Sequence, residues 1–443
     1  MLGLCVAALM AAWGTIALSG TKIGVALALA VVLGPAAIYA AVVAPLVFPF
    51  SLFSIVVPFD NVVEFHSFGT VTKLIGILCG AALLFWILRT RRFVTPDRSL
   101  LAWLAFVVLA LWSFSWADDP VSGALDMMTL TSLFLLLAAV SFMPISVRVL
   151  RIVVASIIAG GALAGIYGAW VFHNGTAFDA AAGGRLVVQL GKETIDPNHF
   201  AASLLLPGIL VLNELIASRK TFTRIVLLIC GLFIAAGMLL AASRGGILAA
   251  LAAYLYLLVR SRKKVVLAAV GVGALAVGLA AFANIAKRFS EVAATGGAGR
   301  LGIWRVGFAA FKIHPLFGAG FGNFAIAYNQ AFLGVPAFST MKIVEGARWG
   351  IAPHSNIVWI AVELGAVGLI VFLAAWWLEF RSLRLVPPSS ELYPLRVATE
   401  AALIALFVAG LFLGTVTYKY VWLAFMLAAL TRNAEICLRR TTS

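Results

Sequence analysis

Apolar runs of membrane length, separated by short basic segments, recur along nearly the whole chain. This alternation is the strongest constraint on what the chain can fold into. A spanning helix needs roughly 20 apolar residues, and the bilayer interior supplies no water to satisfy an open backbone. Hydrophobic residues make up 63% of the 443 and charged residues 11%, more apolar surface than a soluble core requires. The chain therefore reads as an all-α, polytopic transmembrane helical bundle of about 12–14 helices, with 1–443 forming a single membrane-embedded domain.

The net charge of +15 would suggest nucleic acid in a soluble protein. Here the basic residues cluster in loops: Arg89 to Arg92 with Arg98, Arg148 and Arg151, Arg219 and Lys220 with Arg224, Arg260 to Lys264, Arg381 and Arg384, Arg439 and Arg440. Between successive clusters lie two apolar runs: 99–115 and 122–142, 152–172 and 198–216, 225–241 and 246–259, 265–284 and 355–379, 397–414 and 419–431. Two crossings return the chain to one side, so every cluster fits a cytoplasmic face. Membrane lipids are the expected partner and nucleic acid is not. Before Arg89, the runs 2–18, 23–40, 42–57 and 70–88 are candidate crossings, although Pro45, Pro49 and Pro58 allow a broken piece. Lys22 is the first charge, so an uncleaved first helix is expected and not a signal peptide. The four cysteines are scattered singly and form no disulfide framework.

The opposite, outer face then holds the Asp60 and His66 region, Trp116 to Pro120, residues 173–197, the turn Ser243-Arg244-Gly245-Gly246, and a long loop over 285–353. All five histidines fall on or beside it. The long loop carries seven basic residues against Glu291 and Glu345. Long loops cross regardless of charge, so this surplus points to an anionic partner.

Four stretches could carry chemistry. Arg244 sits between two apolar runs with almost no loop, followed by two glycines that allow close approach. An arginine fork suits phosphate oxygens, and a helix N-terminus favours anions. In 352–365, Pro353, Ser355 and Asn356 have the chemistry of a helix start, whereas His354 is suited to act as a general base or to hold a hydroxyl. In 297–324, Arg300 and Arg305 flank an amphipathic stretch expected to lie at the interface, and Gly318, Gly320 and Gly322 predict a tight turn. In 183–204, Arg185 is a further phosphate candidate, while Asp196-Pro197-Asn198 reads as a helix cap.

These residues resemble the bacterial O-antigen ligase and polymerase superfamily. The resemblance rests on the helix layout, the long outer loop containing short helices, Arg244 with Leu248, His354 with Glu363-Leu364-Gly365, Asp196-Pro197-Asn198, and Gly299-Arg300 through His314-Pro315 to Gly320. It implies an inverting, GT-C type glycosyltransferase of the inner membrane, with its active site facing the periplasm. The donor would be a glycan on undecaprenyl diphosphate, with no nucleotide sugar or cofactor and, in the ligases, no metal. Some GT-C enzymes pair a divalent metal with an outer-loop carboxylate, for which Asp60, Asp118, Asp119 and Glu345 are the candidates here. A ligase uses lipid A–core as acceptor; an O-antigen or exopolysaccharide polymerase uses a second lipid-linked glycan. The resemblance implies that Arg244 and Arg300, with Arg305 and Arg185 as weaker candidates, bind the diphosphate, and that His354 acts at the acceptor hydroxyl. A transporter of lipid-linked sugars is the alternative of a different class. Transporters gather polar groups near the midplane, often in repeats, whereas here they gather at the outer face.

Overall fold

The structure is a computed structural model that describes residues 34–59, 64–65, 69–174, 186, 188–190, 193–269, 271–272, 300–332 and 352–442. The expected first helix, Arg185, Asp60, His66, Glu291 and Glu345 lie outside the described residues.

The helices are α1 (Gly34–Val43), α2 (Phe50–Val56), α3 (Val71–Thr90), α4 (Arg98–Trp112), α5 (Ala124–Ser141), α6 (Val147–His173), α7 (Pro197–Ser203), α8 (Leu205–Ala217), α9 (Thr221–Ala241), α10 (Arg244–Arg260), α11 (Arg300–Ile313), α12 (Phe324–Phe332), α13 (Asn356–Ser382), α14 (Tyr393–Gly410) and α15 (Lys419–Thr442). Nine helical segments among the described residues are long and apolar enough to cross a membrane. At 17 residues, α10 is within the spanning range too. The architecture is the expected all-α polytopic bundle, with two short antiparallel hairpins added: Glu64–Phe65 with Gly69–Thr70, and Val188–Leu190 with Glu193–Ile195. The candidate crossing at 42–57 is broken. Its apolar residues divide between α1 and the short α2, with the Pro45 and Pro49 turn between them. Proline lacks the N–H that would continue the ladder.

Short polar residues set where many helices begin. Thr70, Asp97, Ser146, Asp196, Ser243 and Ser355 each accept a backbone N–H of the first turn of α3, α4, α6, α7, α10 and α13. The bundle is built around α15, whose apolar window is 83% buried, against 22% for α3 and for α9. Trp103, Phe106, Phe372, Trp376, Trp422 and Phe425 pack in edge-to-face and tilted pairs about that axis, the closest being the tilted pair Trp103 and Phe425 at 4.7 Å. Lipid is as apolar as leucine, so helix association depends on close approach. Gly165 of α6 supplies it: a Cβ there would lie 2.2 Å from the Phe233 carbonyl oxygen of α9.

Hydrogen bonds gather the basic loops at one end. Lys263 donates to the Ile216 carbonyl, Arg262 to Pro388, Arg439 to Leu385 and Arg432 to Thr95, and Arg151 pairs with Glu391 at 3.6 Å. Just inside that end, Arg396 pairs with Glu400 at 2.9 Å, and Glu400 accepts the Tyr256 hydroxyl at 2.6 Å. The common end expected from the charge pattern is thus a geometric fact.

One spanning helix is interrupted. Gly365 in α13 has φ 66 and ψ −164, which breaks the hydrogen-bond ladder inside the bundle. The turn 314–323 seals the break. The N–H groups of Ala319 and Gly320 donate to the Val362 and Glu363 carbonyls at 2.9 and 2.8 Å, while Ala366 and Val367 donate to Pro315 and Leu316 at 2.8 and 3.1 Å. The Glu363 carboxylate accepts the Phe324 N–H at 3.0 Å. Backbone freed at membrane depth is tolerated when protein re-satisfies it in this way.

Candidate active site

The glycine-rich stretch is the tight turn predicted from its composition. Gly318, Gly320 and Gly322 all have φ between 70 and 96, a region most side chains avoid. Besides docking on α13, this turn grips the α4–α5 loop. The Phe321 N–H donates to Ser113 Oγ, and Asn323 exchanges two hydrogen bonds with the Asp119 backbone. Asp119 itself caps Val121 and Ser122, and Asp118 accepts from Gln330 at 2.9 Å. These carboxylates have structural partners. Among the described residues, no three His, Cys, Asp or Glu side chains are grouped to hold a metal.

The consequence is a firm seat for α11, which carries Arg300 as its first residue. Val306, Gly307 and Ala310 of α11 are buried, whereas Leu301, Phe308 and Ile313 are exposed and Lys312 lies 4.7 Å above the Phe308 ring. That two-sided apolar character suits a helix at the water–lipid boundary.

Five segments converge at this end, away from the basic loops. At the start of α10, Ser243 accepts the Gly246 N–H at 3.2 Å and donates its hydroxyl to Asn198 Oδ1 of α7 at 3.0 Å. Arg244 therefore opens α10 directly beside the start of α7. A Cβ on Gly246 would lie 3.1 Å from Ala201 Cβ, and one on Gly245 3.4 Å from Phe412, so the two glycines allow the approach of α7 and of the α14–α15 connection. Phe412 also meets Trp304 of α11, with ring centroids 6.3 Å apart. The same connection reaches the fifth segment: Asn356 exchanges hydrogen bonds with Thr415 at 2.8 and 2.6 Å.

His354 sits at that fifth segment. Ser355 and Asn356 on its C-terminal side are held as a cap and a buried bridge, as their chemistry predicted. His354 itself has φ 47. A left-handed conformation at a non-glycine residue costs on the order of 1–3 kcal/mol and is sustained by such flanking anchors. The imidazole is half-buried. Burial, and then the nearby Arg300 guanidinium, hold its pKa below the ordinary histidine value, against an opposing pull from Asp196. A neutral imidazole near pH 7 can accept a proton.

Of the residues singled out in the sequence, Arg244, Arg300 and His354 are brought to one end of the bundle. Arg305 is exposed and lies about 140° around α11 from Arg300, so the two do not share a face. Arg185 falls outside the described residues, but its neighbour Leu186 is buried and donates its N–H to the Leu240 carbonyl at 3.2 Å. The structure also adds His199, Tyr418 and Tyr420. His199 Nδ1 is 3.0 Å from the Tyr420 hydroxyl, and its ring interacts electrostatically with His354, Arg300 and Asp196. The sequence signal for His199 was its place on the outer face; no spacing linked residue 199 to residue 420.

Residues 228–373, from α9 into α13, match the family described as O-antigen ligase. This match, covering about a third of the chain, supports membership of the O-antigen ligase and polymerase superfamily. The matched span includes Arg244, Arg300, Arg305 and His354, while α7 precedes it. No curated protein matches the chain. The matched span and the nine apolar helical segments among the described residues together indicate a multi-pass membrane protein of O-antigen ligase or polymerase type.

Proposed function

We propose that this protein transfers a glycan from undecaprenyl diphosphate to an acceptor hydroxyl at the periplasmic face of the inner membrane, acting as a ligase with lipid A–core as acceptor. The whole chain, 1–443, acts as one catalytic domain, and the segment 285–353 is its periplasmic loop. The observation that carries this proposal is the convergence of Arg244, Arg300 and His354 at the bundle end opposite the basic loops.

The chemistry follows from the residue types. Arg244 and Arg300 each stand at the start of a helix, where a guanidinium fork and the helix N-terminus favour the same kind of ligand, an anion. They grip the diphosphate and offset the charge that grows on it as it leaves. Arg305 and Arg185 are peripheral contributors. His354 accepts the proton of the acceptor hydroxyl. The hydroxyl oxygen attacks the anomeric carbon, the bond from that carbon to the diphosphate oxygen breaks, and the electron pair departs with the diphosphate. A single displacement inverts the configuration.

The test is a gel of surface polysaccharide from a deletion strain, beside the same strain complemented with wild type or with His354→Ala. A ligase leaves bare lipid A–core with long chains retained on the carrier lipid. Core bearing a single repeat reassigns the protein as a polymerase, and loss of exopolysaccharide alone moves the acceptor to a secreted polymer. Unchanged glycans in both the deletion and the His354→Ala strain reject the proposal.

The His354 environment predicts a pH profile. The base works only when neutral, so transfer is full above its pKa and falls as pH drops through it. Burial and Arg300 depress that pKa, which places the acidic limb of kcat/KM below the ordinary value of about 6.5. Arg300→Gln should lower the rate and move the limb upward. A limb at or above 6.5 in the wild type would contradict the assignment of His354 as the base.

A further inference from the structure

The site contains a second imidazole, held more tightly than the first. His199 lies in the first turn of α7, behind the Asp196 cap. Its ring is stacked on Tyr418, with centroids 3.9 Å apart and planes 8° from parallel. Its edge meets the Tyr420 hydroxyl, with Nδ1 3.0 Å from the oxygen. A ring held on one face and one edge has a defined orientation. Tyr420 is buried, at 4% exposure, so its hydroxyl is held close to the ring. At this distance Nδ1 is placed to accept, and a neutral imidazole that accepts at Nδ1 carries its proton on Nε2.

The residues around this ring show where it lies. Its neighbour Asn198 accepts the Ser243 hydroxyl, and Ser243 caps the helix that Arg244 opens. His199 also interacts electrostatically with Arg300 and His354. It therefore lies among the groups assigned above to the diphosphate.

We propose that His199 is a second catalytic histidine of this site, donating its Nε2–H to an oxygen of the diphosphate, with Tyr418 and Tyr420 as positioning residues. The inference rests on the diphosphate assignment above. No proton changes hands at His199. As the bond from the anomeric carbon to the diphosphate oxygen breaks, negative charge grows on the leaving group and the hydrogen bond strengthens. A donor of that kind acts on kcat more than on KM.

The test uses the full-length protein in lipid nanodiscs with lipid-linked donor, and inorganic diphosphate as competitor. His199→Ala should lower kcat by about 10²–10³-fold and weaken inhibition by inorganic diphosphate, with little change in donor KM. His199→Gln, which retains an N–H donor, should recover most of the loss. Tyr420→Phe keeps the ring but frees the imidazole, and should lower kcat by about tenfold without moving the melting temperature. Wild-type kcat and inhibition in His199→Ala overturn the inference, and so does equal inactivity of the Ala and Gln variants with a collapsed melting temperature. Arg244→Ala separates the two proposals. If it loses transfer and inhibition while the His199 variants do not, the diphosphate assignment stands alone. If it too keeps both, the diphosphate assignment falls and the inference with it.

Discussion

Alanine at Arg244 is expected to lower glycan transfer by at least about 10²–10³-fold while the protein still inserts and folds. The side chain begins α10 at a turn of a few residues, where Ser243 already caps the helix and ties it to Asn198. Removing the guanidinium leaves that cap in place, so the start of α10 keeps its anchor and the loss of rate is assigned to ligand binding and leaving-group stabilisation when the melting temperature is unchanged. Lysine keeps the charge but lacks the planar fork that matches two phosphate oxygens. Arg244→Lys should therefore recover only part of the rate, remaining about tenfold or more below wild type. The measurement is turnover of purified protein on lipid-linked donor, with expression confirmed in the membrane fraction. An alanine variant with normal turnover removes Arg244 from the diphosphate site.

Alanine at Gly365 should produce the largest stability loss. A Cβ there would lie 2.3 Å from the carbonyl carbon and oxygen of Leu316, and these backbone atoms cannot swing aside as a long side chain can. The residue also has φ 66, which alanine adopts only with strain. Relief requires the turn 314–323 to lift off α13, which strands the carbonyls of Val362 and Glu363 and the N–H groups of Ala366 and Val367. The expected cost is about 3 kcal/mol or more, read as a lowered melting temperature in detergent. Transfer should fall as well, because the same turn seats α11 and with it Arg300. An unchanged melting temperature in Gly365→Ala would show that the docked turn contributes little. The reciprocal change, Gly318→Ala, places a Cβ 2.3 Å from the Glu363 carbonyl carbon and should act alike.

The two predictions differ in how visible their origin was. Arg244 stood out in one dimension, because a charge between two membrane-length apolar runs needs a reason. Gly365 did not. It lies in a run that reads as one continuous crossing, and a helix interrupted and repaired by another segment has the same local composition as an intact one. His199 shows the same limit: its partners Tyr418 and Tyr420 are more than 200 residues away, on the entry to α15.

Composition, run length and the spacing of basic clusters alone determined the solvent, the all-helical class, the common end of the basic loops and the face on which Arg244, Arg300 and His354 lie. These follow from local rules, since the bilayer sets helix length and charge sets orientation residue by residue. Tertiary structure alone decided that the glycine-rich turn repairs α13 at Gly365. It also decided that His199 joins the site. Each of these depends on which distant segment supplies a hydrogen-bond partner or a ring face, and helix packing in lipid selects that segment by close fit, a property that no single stretch of sequence carries.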